Sequence, residues 1–214
     1  MPTKVKICGL KTEAALEAAL AGGADFVGLV FFPPSPRNVT LAVAKALADR
    51  ARGRARIVAL MVDPDDALIA QVVASAAPDL IQLHGYETPT RVAEVRARSG
   101  ISVMKAVPVE TAEDAHAARQ FSPVADLILF DARAPTDSTR PGGNGAPFDW
   151  RTLLGVKDQV PFMLSGGLTP DNVARAVEIV RPHAVDVNSG VEARPGQKDP
   201  DKVRRFIAEA KGVR

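Results

Sequence analysis

Cysteine is nearly missing from this chain: 214 residues hold one, Cys8. A lone thiol cannot close an internal disulfide, and it fits poorly with secretion. Histidine is also scarce, and the three present show no metal-ligand spacing, so no metal is expected. Aromatic residues make up 5%. Basic side chains therefore lack the stacking surfaces that single-stranded nucleic acid meets, and no nucleic-acid partner is expected. No apolar run approaches the roughly 18 residues of a membrane span, and the N-terminus lacks the apolar core of a signal peptide. An excess of one charge is missing too, since 27 Lys and Arg face 25 Asp and Glu. These absences point to a soluble, cytoplasmic protein with no membrane partner, long enough to bury a core unaided.

What the chain does contain is rhythm. Short β-branched runs recur at Lys4–Cys8, Asp25–Phe31, Arg56–Val62, Asp79–Gly85, Ile101–Val107, Asp126–Asp131, Pro161–Gly167 and Ala184–Gly190. Between them lie stretches with helical periodicity that open on Thr or Asp: Thr12, Thr40, Asp65, Thr88, Thr111, Thr169 and Asp199. "FDWRTLLG" (Phe148–Gly155) is the weakest of the helical stretches. Strict alternation implies parallel strands joined by crossovers. Eight units suit an α/β fold of the (β/α)₈ TIM-barrel type, with residues 1–214 as a single domain. The rival is an open doubly wound sheet, but no GxGxxG follows the first strand. The irregular stretch Ala132–Pro147 reads either as a surface loop or as a lid over the strand ends.

In such a barrel the chemistry sits where strands end. Cys8, Arg37, Asp63, His84, Lys105, Asp131, Ser165, Asp186 and Asn188 all fall there. Cys8 is either a small buried hydrophobe or a functional thiol. Gly9 after it would let a ligand approach, and Lys6 on the same strand face should favour the thiolate unless burial cancels its effect. Asp131 could start a turn or serve as an acid. Arg37, on the Pro-stiffened "FFPPSPRN" loop, is either a surface residue or a carboxylate ligand. "SGGLTPDN" and "VDVNSGVE" place Gly166, Gly167, Ser189 and Gly190 where backbone N–H groups can cradle a phosphate. Asp186 is expected first to pair with Lys6. His84 and Asp186 are also candidate substrate contacts, their roles left open.

"KICGL", "GLVFFPPSPRNV", "QLHG", "LFDA", "FMLSGGLTPDNV" and "VDVNSGVE", in this order, resemble the phosphoribosylanthranilate isomerase family of tryptophan biosynthesis. The resemblance implies a (β/α)₈ barrel without metal or organic cofactor, acting on phosphoribosylanthranilate; whether it does so as a monomer or homodimer stays open. It implies an Amadori rearrangement of the aminoaldose to 1-(2-carboxyphenylamino)-1-deoxyribulose 5-phosphate. By the same resemblance Cys8 is the catalytic base, Asp131 the catalytic acid and Arg37 a substrate ligand. Asn188 stands where many relatives have serine. The related histidine-pathway isomerase resembles this chain less, because its first strand ends in aspartate. Its substrate also carries a second phosphate, which the acidic "MVDPDD" loop here would repel. A non-catalytic sugar-phosphate-binding barrel would need neither Cys8 nor Asp131.

Overall fold

The computed structural model of the chain describes residues 2–133, 148–156 and 161–213. Eight parallel strands close into a barrel in sequence order: β1 (Lys4–Ile7), β2 (Phe26–Phe31), β3 (Arg56–Met61), β4 (Leu80–Leu83), β5 (Ser102–Val109), β6 (Leu127–Ala132), β7 (Phe162–Leu164) and β8 (Ala184–Val187). The expected barrel is observed, and the open sheet is excluded because β8 pairs with β1. The described helices are α1 (Glu13–Ala21), α2 (Leu41–Ala51), α3 (Asp66–Ala76), α4 (Pro89–Ser99), α5 (Ala112–Ala117), α6 (Val173–Val180) and α7 (Pro200–Gly212). Residues 134–147, most of the stretch read as a loop or lid, lie outside the described residues.

The helix starts follow their caps. Thr12, Thr40, Asp65, Thr88, Thr111 and Asp199 each accept a hydrogen bond from a first-turn N–H. Thr169 does not. It opens a turn in which Asn172 Oδ1 accepts from the Thr169 N–H at 2.8 Å, and α6 begins only at Val173. "FDWRTLLG" forms a 3₁₀ turn over Trp150–Leu153. A short antiparallel hairpin, β9 (Glu192–Arg194) with β10 (Gln197–Lys198), went unanticipated, because such short strands carry no readable alternation.

The core has two shells. Val5, Ile7, Val27 and Leu29 face outward and pack under the helices with Leu16, Leu47 and Phe206. Phe26, Val58, Leu80, Met104, Leu127, Leu129 and Met163 fill the inside of the barrel. Burial on both faces explains why the strands read as nearly unbroken apolar runs. Strand alternation then turns Lys6 and Cys8 inward, and the β1–β8 register sets Lys6 beside Asp186.

Candidate active site

Cys8 follows the last residue of β1 and packs with Val30 and Leu60 at the C-terminal mouth of the barrel, 1% exposed. Room for it comes from Gly28 on β2, where a Cβ would stand 2.9 Å from the sulfur and 3.0 Å from Cys8 Cα. Burial pushes the thiol above its ordinary value. The Lys6 charge acts against that, Asp186 adds to it, and Lys198 again opposes it. Lys6 thus favours the thiolate as expected, but burial outweighs it and the thiol stays above its ordinary value. The Lys6 ammonium is engaged by Asp186, with Nζ 2.8 Å from Oδ1, and Ser165 Oγ donates to the other oxygen at 3.0 Å. The expected Lys6–Asp186 pair is present and wholly inside the barrel.

Asp131 lies near the end of β6 and is buried. Its Oδ1 accepts from the Ala132 N–H at 2.9 Å, and its Oδ2 lies 3.2 Å from His84 Nε2. The other ring nitrogen of His84 faces the amide nitrogen of Gln82 at 2.9 Å. The amide donates there, so Nδ1 accepts and Nε2 keeps its proton to donate to Asp131. Gln82 Oε1 is buried and has no partner among the described residues. Sequence reasoning named His84 without its partner and passed over Gln82. The signal was there: residues 82 and 84 share the inward face of one strand.

Arg37 is buried, not a surface residue. Its Nε and Nη2 donate to Glu192 Oε1 and Oε2 at 2.9 and 2.8 Å. Lys198 Nζ donates to Glu192 Oε1 at 3.0 Å and to the carbonyl and side-chain oxygens of Asn188, both at 2.8 Å. Burial raises the Glu192 carboxyl, but the Arg37 hydrogen bond and the Lys198 charge outweigh it and hold the group below its ordinary value. Burial likewise lowers Lys198 against the pull of Glu192. Gly9 was expected to admit a ligand. What comes close to it is protein, since a Cβ there would lie 2.7 Å from Asn188 Oδ1 and 3.2 Å from Arg37. Glu192 and Lys198 went unassigned in the sequence, because only the hairpin brings them together.

The two glycine turns follow β7 and β8. Gly166 and Gly167 have φ of 87° and 62°, and Ser189–Val191 forms one 3₁₀ turn. Gly190 sits against the Leu168 carbonyl, so any side chain there would strike the neighbouring turn. The two loops are thus packed on each other. Two other residues expected at strand ends do not point into the mouth. Lys105 turns outward to a buried Glu87 at 2.7 Å, and Asp63 accepts from the Tyr86 N–H at 2.7 Å.

Around the rim, then, stand Asp131 on β6, the glycine turns after β7 and β8, Cys8 at the end of β1 and Arg37 after β2. Comparison with known proteins gives this arrangement a family. Residues 5–209 match the family model described as N-(5'phosphoribosyl)anthranilate (PRA) isomerase. The N-(5'-phosphoribosyl)anthranilate isomerase of Rhodopseudomonas palustris (strain BisA53) is 56% identical over 213 residues, covering 100% of this chain and 98% of its own. The crystal structure of phosphoribosyl anthranilate isomerase from Thermotoga maritima superposes with a TM-score of 0.90 at 36% identity, covering 99% of this chain and 100% of its own. A phosphoribosyl anthranilate isomerase in complex with reduced 1-(o-carboxyphenylamino)-1-deoxyribulose 5-phosphate superposes at 0.86 with 34% identity and the same coverage. The chain belongs to the N-(5'-phosphoribosyl)anthranilate isomerase family.

Proposed function

We infer that this chain catalyses the Amadori rearrangement of N-(5'-phosphoribosyl)anthranilate to 1-(2-carboxyphenylamino)-1-deoxyribulose 5-phosphate. This is a step of tryptophan biosynthesis, carried out in the cytoplasm by a monomer or homodimer. Asp131, carrying a proton, donates it to the furanose ring oxygen. The substrate nitrogen pushes in its lone pair, the ring C–O bond breaks, and a Schiff base forms. Cys8 as thiolate removes the C2′ proton, and the resulting enolamine tautomerises to the aminoketose. His84 orients the Asp131 carboxyl group through its hydrogen bond. Backbone N–H groups of Gly166, Gly167, Ser189 and Gly190 take the phosphate, and Arg37 takes the anthranilate carboxylate. Lys6, Asp186 and Ser165 form the polar floor beneath Cys8.

The observation that carries this reading is the order of groups around one rim. The two glycine turns follow β7 and β8, between the strands that bear Asp131 and Cys8. A phosphate anchored there leaves the sugar spanning the acid and the base. The test follows fluorescence decay of the substrate generated in situ. Cys8→Ala and Asp131→Asn are each expected to lower kcat by about 10²–10⁴-fold, with affinity for the reduced product analogue nearly intact. Near-normal kcat in either variant overturns that residue's role.

A further inference from the structure

Arg37, Glu192 and Lys198 are 4%, 8% and 7% exposed and form one buried cluster. Two cations on one carboxylate leave it with a net positive charge. We propose that Glu192 and Lys198 are positioning residues: Glu192 fixes the plane of the Arg37 guanidinium so that one edge is presented to the substrate carboxylate, and Lys198 ties this assembly to the phosphate loop while keeping its charge positive. The proposal rests on the reading of Arg37 as the partner of that carboxylate.

The donor count makes the case for Glu192. A guanidinium has five N–H donors. Glu192 takes one from Nε and one from Nη2, on the side edge of the fork. The end edge, with one hydrogen on Nη1 and the second on Nη2, has no hydrogen-bond partner among the described residues. That edge can take a second carboxylate bidentately while the first holds it still. An arginine clamped before binding loses less rotamer freedom when the ligand arrives. A carboxylate this close would also cancel the charge that attracts the ligand. Lys198 restores it.

Lys198 supplies the link to the phosphate end. The same ammonium that grips Glu192 donates to both oxygens of Asn188, the residue before the Ser189–Val191 turn. The backbone of the proposed phosphate site and the guanidinium of the proposed carboxylate site are therefore held through one side chain. The hairpin exists, on this view, to bring Glu192 and Lys198 into register across β9 and β10.

Calorimetry with two probes tests the idea: reduced 1-(o-carboxyphenylamino)-1-deoxyribulose 5-phosphate and its carboxyl methyl ester. The readout is the ratio of acid to ester affinity. Arg37→Met is expected to shrink the ratio by about 10- to 150-fold, the worth of a hydrogen bond to a charged group. Glu192→Gln should shrink it by about tenfold and leave ester affinity within about twofold. Added to Arg37→Met, it should cause no further loss. Lys198→Met should weaken both probes, because the phosphate is common to both, and the acid more than the ester, because the positive charge facing its carboxylate is lost. Glu192→Asp, one methylene shorter, should reproduce the Glu192→Gln effect if the glutamine variant does not fold. If Arg37→Met leaves the ratio unchanged, the carboxylate reading falls and takes the proposal with it. If Arg37→Met shrinks the ratio but neither Glu192 variant does, Arg37 stands and the positioning role is overturned. Equal losses for acid and ester in the Glu192 variants would mean a purely structural role and would also overturn it. A Lys198→Met protein that binds both probes like the wild type removes Lys198 from the proposal.

Discussion

Cys8 draws its position and its protonation from the same burial. Its place at a strand end was readable from the sequence, but the direction of its titration was not, because desolvation is set by residues from distant parts of the chain. Burial holds the thiol above its ordinary value of 9.0. As the only cysteine, it makes alkylation by iodoacetamide site-specific. The thiolate is the reactive form and its fraction rises with pH. Mass spectrometry should therefore show slow modification at neutral pH and an inflection above 9.0; an inflection below that value would contradict the burial argument. Gly28 offers a second residue-scale test. A methyl group there would crowd the sulfur from 2.9 Å. Gly28→Ala is expected to lower kcat by about 100-fold, the cost of a displacement of roughly 1 Å, with cooperative unfolding retained. Unchanged kcat would show that the thiol does not need this position.

Element boundaries were legible where a side chain sets them. A Thr or Asp that accepts from the first-turn N–H marks the start of every described helix except α6. The exception is instructive, because Thr169 and Asn172 hydrogen-bond each other and so build a turn before the helix. Helix α5 carries the best-defined cap, a reciprocal box of Thr111 and Asp114. Burial raises the Asp114 carboxyl, but the N–H groups of Thr111 and Glu110 and the Arg133 guanidinium lower it to about 2. A carboxyl depressed on folding contributes stability that is complete above its ordinary value of 3.8 and is lost as pH falls to about 2. Asp114→Ala should therefore destabilise the protein by about 1 kcal/mol at pH 7, with the difference shrinking across that acidic window. A difference in unfolding free energy that stays constant down to pH 2 would show that this carboxylate is not the source.

At the scale of the molecule, barrel closure joins strands 180 residues apart through a buried ion pair, Lys6 with Asp186. Breaking one side leaves an uncompensated charge inside the barrel. Lys6→Met is expected to cost about 3–5 kcal/mol, read as a lower midpoint in urea unfolding. Replacing both partners, as Lys6→Met with Asp186→Leu, should recover much of that loss. Recovery stays incomplete because the Ser165 hydroxyl then loses its acceptor. A double variant no more stable than the single one would mean that the loss does not come from an uncompensated charge.

The sequence by itself determined the strand and helix rhythm, the closed barrel and the residues that end its strands, because periodicity and capping are local properties and parallel strands need crossovers. Family membership was also legible, in six short segments kept in order. Beyond the Lys6–Asp186 pair, tertiary structure alone decided who partners whom. Lys105 lies on a strand as Lys6 does, yet it faces outward to Glu87 because side-chain direction depends on strand position. Arg37 meets Glu192 only because a two-strand hairpin, too short to show a pattern, folds beside the loop after β2. His84 reaches Asp131 across the barrel mouth, 47 positions along the chain. The titration of Cys8 follows from the same fact: burial sums contributions from every strand around the site, and no local stretch of sequence carries that sum.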